Sequence, residues 1–206
     1  ISHCINHAQV TATEYGAGGI CADAIGDIEY CTNYGKVLSK GAYAGGIASN
    51  QTSNNNVTHC ANHGEVEGND YVGGITGRHN GSGSISNVIS TGNVTERDVT
   101  GTNGLLVGVV QGGLVFSECM VFRSDAILKS LATELEARAI GYVDESENGN
   151  VTGEAVGYDT THFQSGMVTC LLQTAVLEAT WGQQLGTDTY PQLGSAHLVY
   201  AQGDIT

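Results

Sequence analysis

The stretch "VTHCANHGEVEGNDYVGGITG", Val57 to Gly77, opens with His59, Cys60 and His63. All three are zinc ligands by type, and a His-Cys-x-x-His cluster taken alone suggests a metal site. Nearly the same string, "ISHCINHAQV", stands at Ile1, and between the two lies "IEYCTNYGKVLSKGAYAGGI" from Ile28. In that middle copy Tyr30 and Tyr34 occupy the histidine positions while Cys, Asn and Val are kept. A repeat, not a motif, is therefore the first thing to explain.

Aligned copies give columns. Cys4, Cys31, Cys60, Val88 and Cys119 recur at spacings of 27, 29, 28 and 31. Asn6, Asn33 and Asn62 form a second column that ends in Ser90, and Gly35, Gly64 and Gly92 a third, with Ala8 as the exception. Val10, Val37, Val66 and Val94 form a fourth, and the Gly-Gly-Ile triplets at Gly18, Gly45 and Gly73 a fifth that decays to "GLL" at Gly104. A weaker copy begins at Ile85 and a truncated one at Phe116. There is no sustained 3.6-residue apolar period in this half.

Each column has a physical role in a β-solenoid. Short β-branched stretches suit strands whose inward residues stack on the coil below, at the ~4.8 Å spacing of neighbouring strands. Stacked Asn amides hydrogen-bond along the axis. Gly two residues after each Asn is expected to supply a turn with positive φ. The expected fold is all-β: a right-handed solenoid of about four coils of 27–31 residues, each with about three short strands and loops such as Ser49–Asn56.

The segments "HGEVEGNDYVGGITGRHNG" and "GNVTERDVTGTNGLLVG" resemble the GLUG-type motif, a Gly-rich repeat of bacterial cell-surface proteins. Adhesin-like proteins and non-catalytic parts of IgA-protease-like proteins carry it. The resemblance covers about Ile1 to Phe122 and is poorest in the fourth coil. It implies a surface-exposed solenoid and brings no catalytic residue with it.

After Phe122 the repeat stops, which divides the chain into a solenoid over 1–122 and a capping segment over 123–206. In "SDAILKSLATELEARA", Ser124–Ala139, the residues Ile127, Leu128, Leu131 and Leu135 have helical spacing behind Ser124 as N-cap. "TTHFQSGMVTCLLQT" reads as a second short helix that buries Phe163, Val168, Leu171 and Leu172. "WGQQLGTDTYPQL", Trp181–Leu193, reads as a turn-rich closing segment. These last two are similar to the terminal module that follows such repeats in many bacterial surface proteins. A solenoid end exposes core and unpaired edges, so a small mixed α/β cap is expected there.

The chemistry-bearing residues are weighed against this frame. A metal joining the first and third coils would cross two rungs, ~10 Å, with a Tyr between. Within one coil, four extended residues separate His59 from His63 by ~13 Å, too far for shared ~2 Å bonds unless the chain turns sharply at Asn62. Columns that accept His or Tyr equally point to stacked rings. The Cys column reads as reduced thiols in the core, with His59 aimed the other way. Glu65, Glu67 and Asp70 fall opposite Lys36, Ser39 and Gly41, and "DESEN" from Asp144 reads as a solvated loop, not a calcium site. Trp181, Tyr190 and Tyr200 are candidates for a sugar platform, with packing of the cap on the last coil the better reading of Trp181. No Gly-x-Ser-x-Gly, His-Glu-x-x-His or phosphate loop is present.

The charge balance is acidic: 7 Lys and Arg against 21 Asp and Glu, net −14. The scattered basic residues argue against nucleic acid and against an anionic membrane surface. No apolar run approaches a membrane span, so membrane insertion is not expected. Six Cys without a Cys-x-x-Cys pair do not make a disulfide scaffold. The sequence thus points to a non-catalytic extracellular repeat module, a monomeric piece of a larger bacterial surface protein. It would contact a host protein or glycan, or act as a rigid spacer. A carbohydrate-active β-helix enzyme is the alternative, since paired carboxylates across a groove would make one. No residue is assigned a catalytic, cofactor or metal role.

Overall fold

A computed structural model describes residues 1–98, 102–131, 133–175, 180–195 and 197–199 of the chain. It is a β-solenoid, built on parallel ladders in which each coil pairs with the next in register. One ladder joins Val10, Val37, Val66, Val94 and Leu128, so five coils are present where about four were expected. A second joins Ile5–Asn6, Thr32–Asn33, Ala61–Asn62 and Ser84–Ser90. A third joins Gly18, Gly45, Gly73 and Gly104, and a fourth Cys21, Ala48, Thr76, Val107 and Ile140. A fifth joins Ile28, Val57, Ile85 and Phe116, so the second and third coils each carry five short segments, not three strands, some only two residues long. The strand Val107–Arg123 serves three of these ladders and bends at Gly112, where φ is +126°.

Inside, the columns read from the sequence become stacked core. Val37, Val66, Val94, Ile47, Ile75, Leu106, Cys31, Cys60 and Val88 are all fully buried. Such stacking is stable only where like side chains tolerate each other at rung distance, and the Asn column shows how. Asn6 Nδ2 donates to Asn33 Oδ1 at 2.8 Å, and Asn33 Nδ2 donates to Asn62 Oδ1 at 2.8 Å. Each amide also donates to the carbonyl two residues on, at Ala8, Gly35 and Gly64. The amides of Ala8 and Gly35 donate back to the Asn oxygens. The Asn33 side chain therefore closes its own turn and bonds to the next coil, using both of its buried amide hydrogens.

The glycines have a different role from the one expected. Gly35, Gly64 and Gly92 do not carry positive φ; a Cβ on them would stand 1.9–2.1 Å from the carbonyl oxygens of Ala8, Gly35 and Gly64 in the coil before. Close approach of backbones, not a left-handed turn, demands glycine there. Likewise a Cβ on Gly46 would meet Gly74 O at 2.1 Å and Asn62 Cγ at 2.2 Å. The Gly-Gly pair is where one wall closes on the Asn ladder. Left-handed backbone instead recurs from coil to coil at His3, Tyr30, His59 and Asn87, at φ 55°, 54°, 50° and 53°.

Three further expectations are corrected. The helix over Ser124–Ala139 is absent: Leu128–Ser130 is a strand on Val94–Glu96, Leu128 is buried, and Ile127 and Leu131 are exposed. The open edge of the fourth coil offers backbone partners, such as Val94 N–H to Ile127 O at 2.9 Å, which a helix would leave unmet. The ladder consequently runs past Phe122 to Val156–Tyr158. The Cys column also slips at its last rung, because two residues, Glu118 and Cys119, face Asn87 in a bulge and Val88 pairs with Met120. In the loop expected over 49–56, Ala48–Thr52 is a strand with Gln51 buried.

The cap comprises helices α1 (Thr160–Gln164) and α2 (Met167–Ala175) and a hairpin of Trp181–Gly182 with Gln192–Leu193. Asp159 caps α1 by accepting the His162 N–H at 3.0 Å. Gly166, at φ +83°, separates the helices expected as one. Phe163, Val168 and Leu172 are buried as expected, whereas Leu171 is exposed. These side chains and Trp181 pack on Ala61, Ile89 and Val121, a column on the outer side of the second ladder. The cap therefore covers a flank of the solenoid and not its end. The last coil closes the core with Leu135, Ala139, Ile140, Val151 and Ala155. Among the described residues no helix is long and apolar enough to cross a membrane.

Removing the amide at the middle of the ladder strands several partners at once. Asn33→Leu is expected to lower stability by about 3 kcal/mol or more, because the Gly35 N–H, the Asn6 amide and Asn62 Oδ1 each lose a partner. Asn6→Leu, in the half-exposed first coil, is expected to cost only about 1 kcal/mol. Urea unfolding of the two variants checks the difference.

Candidate functional site

The flank that receives the cap carries three columns on its outer side. His3, Tyr30 and His59 form the first, with ring centroids 5.0 and 4.7 Å apart and planes within 17° and 12° of parallel. The left-handed backbone at these positions turns each ring out while the next residue, Cys31 or Cys60, turns into the core. That conformation costs roughly 1–2 kcal/mol per residue. Ring pairs return about 0.5–1.5 kcal/mol each, so stacking offsets much of the strain. The third column is His7, Tyr34 and His63, with centroids 4.9 and 5.1 Å apart, and Tyr190 of the cap continues it at 5.7 Å. Between them runs Ile5, Thr32, Ala61, Ile89 and Val121.

The cap is held on this wall by specific polar contacts. Arg123 Nη1 donates to the Tyr190 hydroxyl at 3.1 Å, and the Tyr34 hydroxyl bonds to the Gln192 side chain. Phe163 meets Tyr190 edge-on. Of the proposed sugar platform, Trp181 is fully buried, Tyr190 is held between His63 and Phe163, and Tyr200 lies outside the described residues. The cap covers Ala61, Ile89 and Val121 but overhangs Ile5 and Thr32. A groove of about 520 Å³ is left there, lined by His3, Ile5, Tyr30, Thr32 and Tyr34 below and by Thr180, Leu193 and Gly194 above.

Stacking decides the question raised by His59 and His63. They stand in separate columns on either side of Ala61, each against a tyrosine face. Among the described residues no group of three or more His, Cys, Asp or Glu side chains is placed to hold a metal ion. His63 Nδ1 pairs with Thr91 Oγ1 at 2.9 Å, while its Nε2 is buried without a partner. Burial pushes its pKa down to about 4.

The other candidate groups are engaged in the solenoid. Cys4, Cys21, Cys31, Cys60 and Cys170 are free thiols. Cys60 S–H donates to Thr58 O at 3.2 Å, and burial raises its pKa well above the ordinary thiol range, which makes a poor nucleophile. Lys36 reaches Glu65 at 3.3 Å and Glu67 at 2.8 Å, and Arg97 reaches Glu67 at 2.7 Å, so these acids are paired across coils. Glu67 lies opposite Leu38, one residue from the expected Ser39. Asp70 Oδ1 and Glu96 Oε1 both approach Thr102 Oγ1, at 2.6 and 2.8 Å. Glu96 is fully buried, so this pair does not face an open groove. In the "DESEN" loop, Asp144 accepts from Ser146 and Gln111, which hold its carboxyl below the usual range.

No family model matches the chain, so its GLUG-type likeness rests on the residues quoted above. No curated protein matches it in sequence. Among solved structures it is similar to a "putative immunoglobulin A1 protease" from Bacteroides ovatus, with a TM-score of 0.63 and 19% identity. The match covers 92% of this chain and 66% of that one, so the chain spans just under two thirds of that protein's length. At this identity the likeness shows the fold alone.

The burial of His63 sets a pH dependence. With a folded pKa near 4 against about 6.5 unfolded, the unfolded state takes up the proton first as pH falls. Its contribution to stability is intact above pH 6.5 and is lost progressively down to about pH 4; buried His79, also lowered, acts in the same direction. Thermal melts between pH 7.5 and 4.5 are expected to show a steeper loss for the native chain than for His63→Gln.

Proposed function

We propose that this chain is a non-catalytic module of a larger bacterial surface protein, working outside the cell to present a rigid, ligand-contacting wall. The observation that carries the reading is the flank itself. Its rings stack on one another in two columns while Cys31 and Cys60 turn into the core, so where the cap leaves it open the flank offers solvent a repeating, pre-ordered surface. Stacked coils extend such a surface without loop entropy, which suits contact with a host protein or glycan, or spacing of neighbouring domains. The acidic balance keeps the module soluble and turns away polyanions.

A hydrolytic reading has one observation in its favour, the name carried by the Bacteroides ovatus neighbour. Fold similarity does not transfer activity. Both readings meet in one assay. The purified chain is incubated with immunoglobulin A1 and with plant and host polysaccharides, then products and retained material are analysed. We expect ligand to be retained intact on immobilised protein. New peptide termini, or saccharide products with new reducing or unsaturated ends, would overturn the non-catalytic assignment.

A further inference from the structure

We infer that the groove beneath the overhanging cap is a binding site for a short neutral saccharide, which deepens the ligand-presenting role proposed above and rests on it. Its floor is the open lower part of the middle column, Ile5 and Thr32, flanked by His3 and Tyr30 and roofed by Leu193 and Gly194. At about 520 Å³ it has the size of a small-molecule cleft, room for one or two sugar rings.

The lining selects the chemistry. Thr32 is only 4% exposed and lines the groove, yet among the described residues its hydroxyl has no hydrogen-bond partner. The Tyr30 hydroxyl is likewise without a partner among the described residues, whereas that of Tyr34 is taken by Gln192. Two such hydroxyls, each able to donate and accept, match the hydroxyls of a sugar. Ile5, 65% exposed, and Leu193 present aliphatic surface to the C–H faces. Among the described residues no carboxylate, ammonium or guanidinium lines the groove, and the chain carries net −14, so an anionic ligand gains nothing there. The faces of Tyr30 are covered by His3 and His59, so recognition would run through hydroxyls and ring edges and not through a stacked platform.

The test is saturation-transfer NMR on the 206-residue chain with cellobiose, lactose, mannobiose and diacetylchitobiose, and with sialyllactose as the charged comparison. At least one neutral disaccharide is expected to receive saturation. The signal should fall by roughly fivefold in Thr32→Val and in Tyr30→Phe, each removing one hydroxyl, with melting curves confirming that both fold. No transfer to any neutral disaccharide, transfer undiminished in both variants, or stronger transfer to sialyllactose than to lactose would overturn the inference. Host-ligand retention without disaccharide transfer would reject the groove and leave the wider role standing. Cleavage of a disaccharide would instead reject the non-catalytic role.

Discussion

Everything in this structure depends on what can stand directly on a copy of itself about 4.8 Å away. Backbone ladders impose that distance on every column, and most side chains meet it badly: like charges repel, and large polar groups lose water without gaining a partner. Asn meets it well because its amide donates at one end and accepts at the other, as Asn6, Asn33 and Asn62 do. Val and Ile meet it by dispersion, and glycine by leaving room for the next coil's carbonyl. Where identical neighbours would conflict, the sequence alternates instead. His alternates with Tyr in the ring columns, and Lys36 answers Glu65 and Glu67 on the surface.

That constraint explains which parts of the fold could be read from the sequence. Positions that face their own copies must conserve size and polarity from coil to coil, so the Val, Asn and Gly-Gly-Ile columns stood out and proved to be ladders. The reading failed where two physical causes produce one pattern. Glycine after Asn fits a left-handed turn and a close approach equally well, and only the second occurs at Gly35 and Gly64. Ile127, Leu128, Leu131 and Leu135 fit a helix face, but the open edge of the preceding coil captured Leu128 as a strand. The bulge opposite Asn87 inserts one residue, which shifts Cys119 off the thiol column that its spacing suggested.

The functional flank divides in the same way. Its ring columns could be foreseen, because a slot that accepts both His and Tyr describes a stack better than a metal ligand. The groove could not. Thr32 belongs to the second coil and Leu193 to the cap, and nothing in either local sequence announces the other. A cap was expected at the solenoid end, where exposed core demands it, yet the last coil closes that end and frees α1, α2 and the hairpin to pack sideways. The concave feature of the flank arises from that displacement. It sits beside rungs stiffened by stacking, a pre-ordered setting that lowers the entropy cost of holding a ligand.

The claim that amide stacking sets the register of the coils is tested most directly by hydrogen exchange of the Asn side chains, followed by NMR under native conditions. The carboxamide protons of Asn33 and Asn62 are expected to exchange as slowly as the ladder backbone amides of Ala61 and Ile89, because both groups open only when coils separate. Exchange at the rate of exposed Asn54 would contradict it, since the two amides would then be hydrated and the coils held together by some other means.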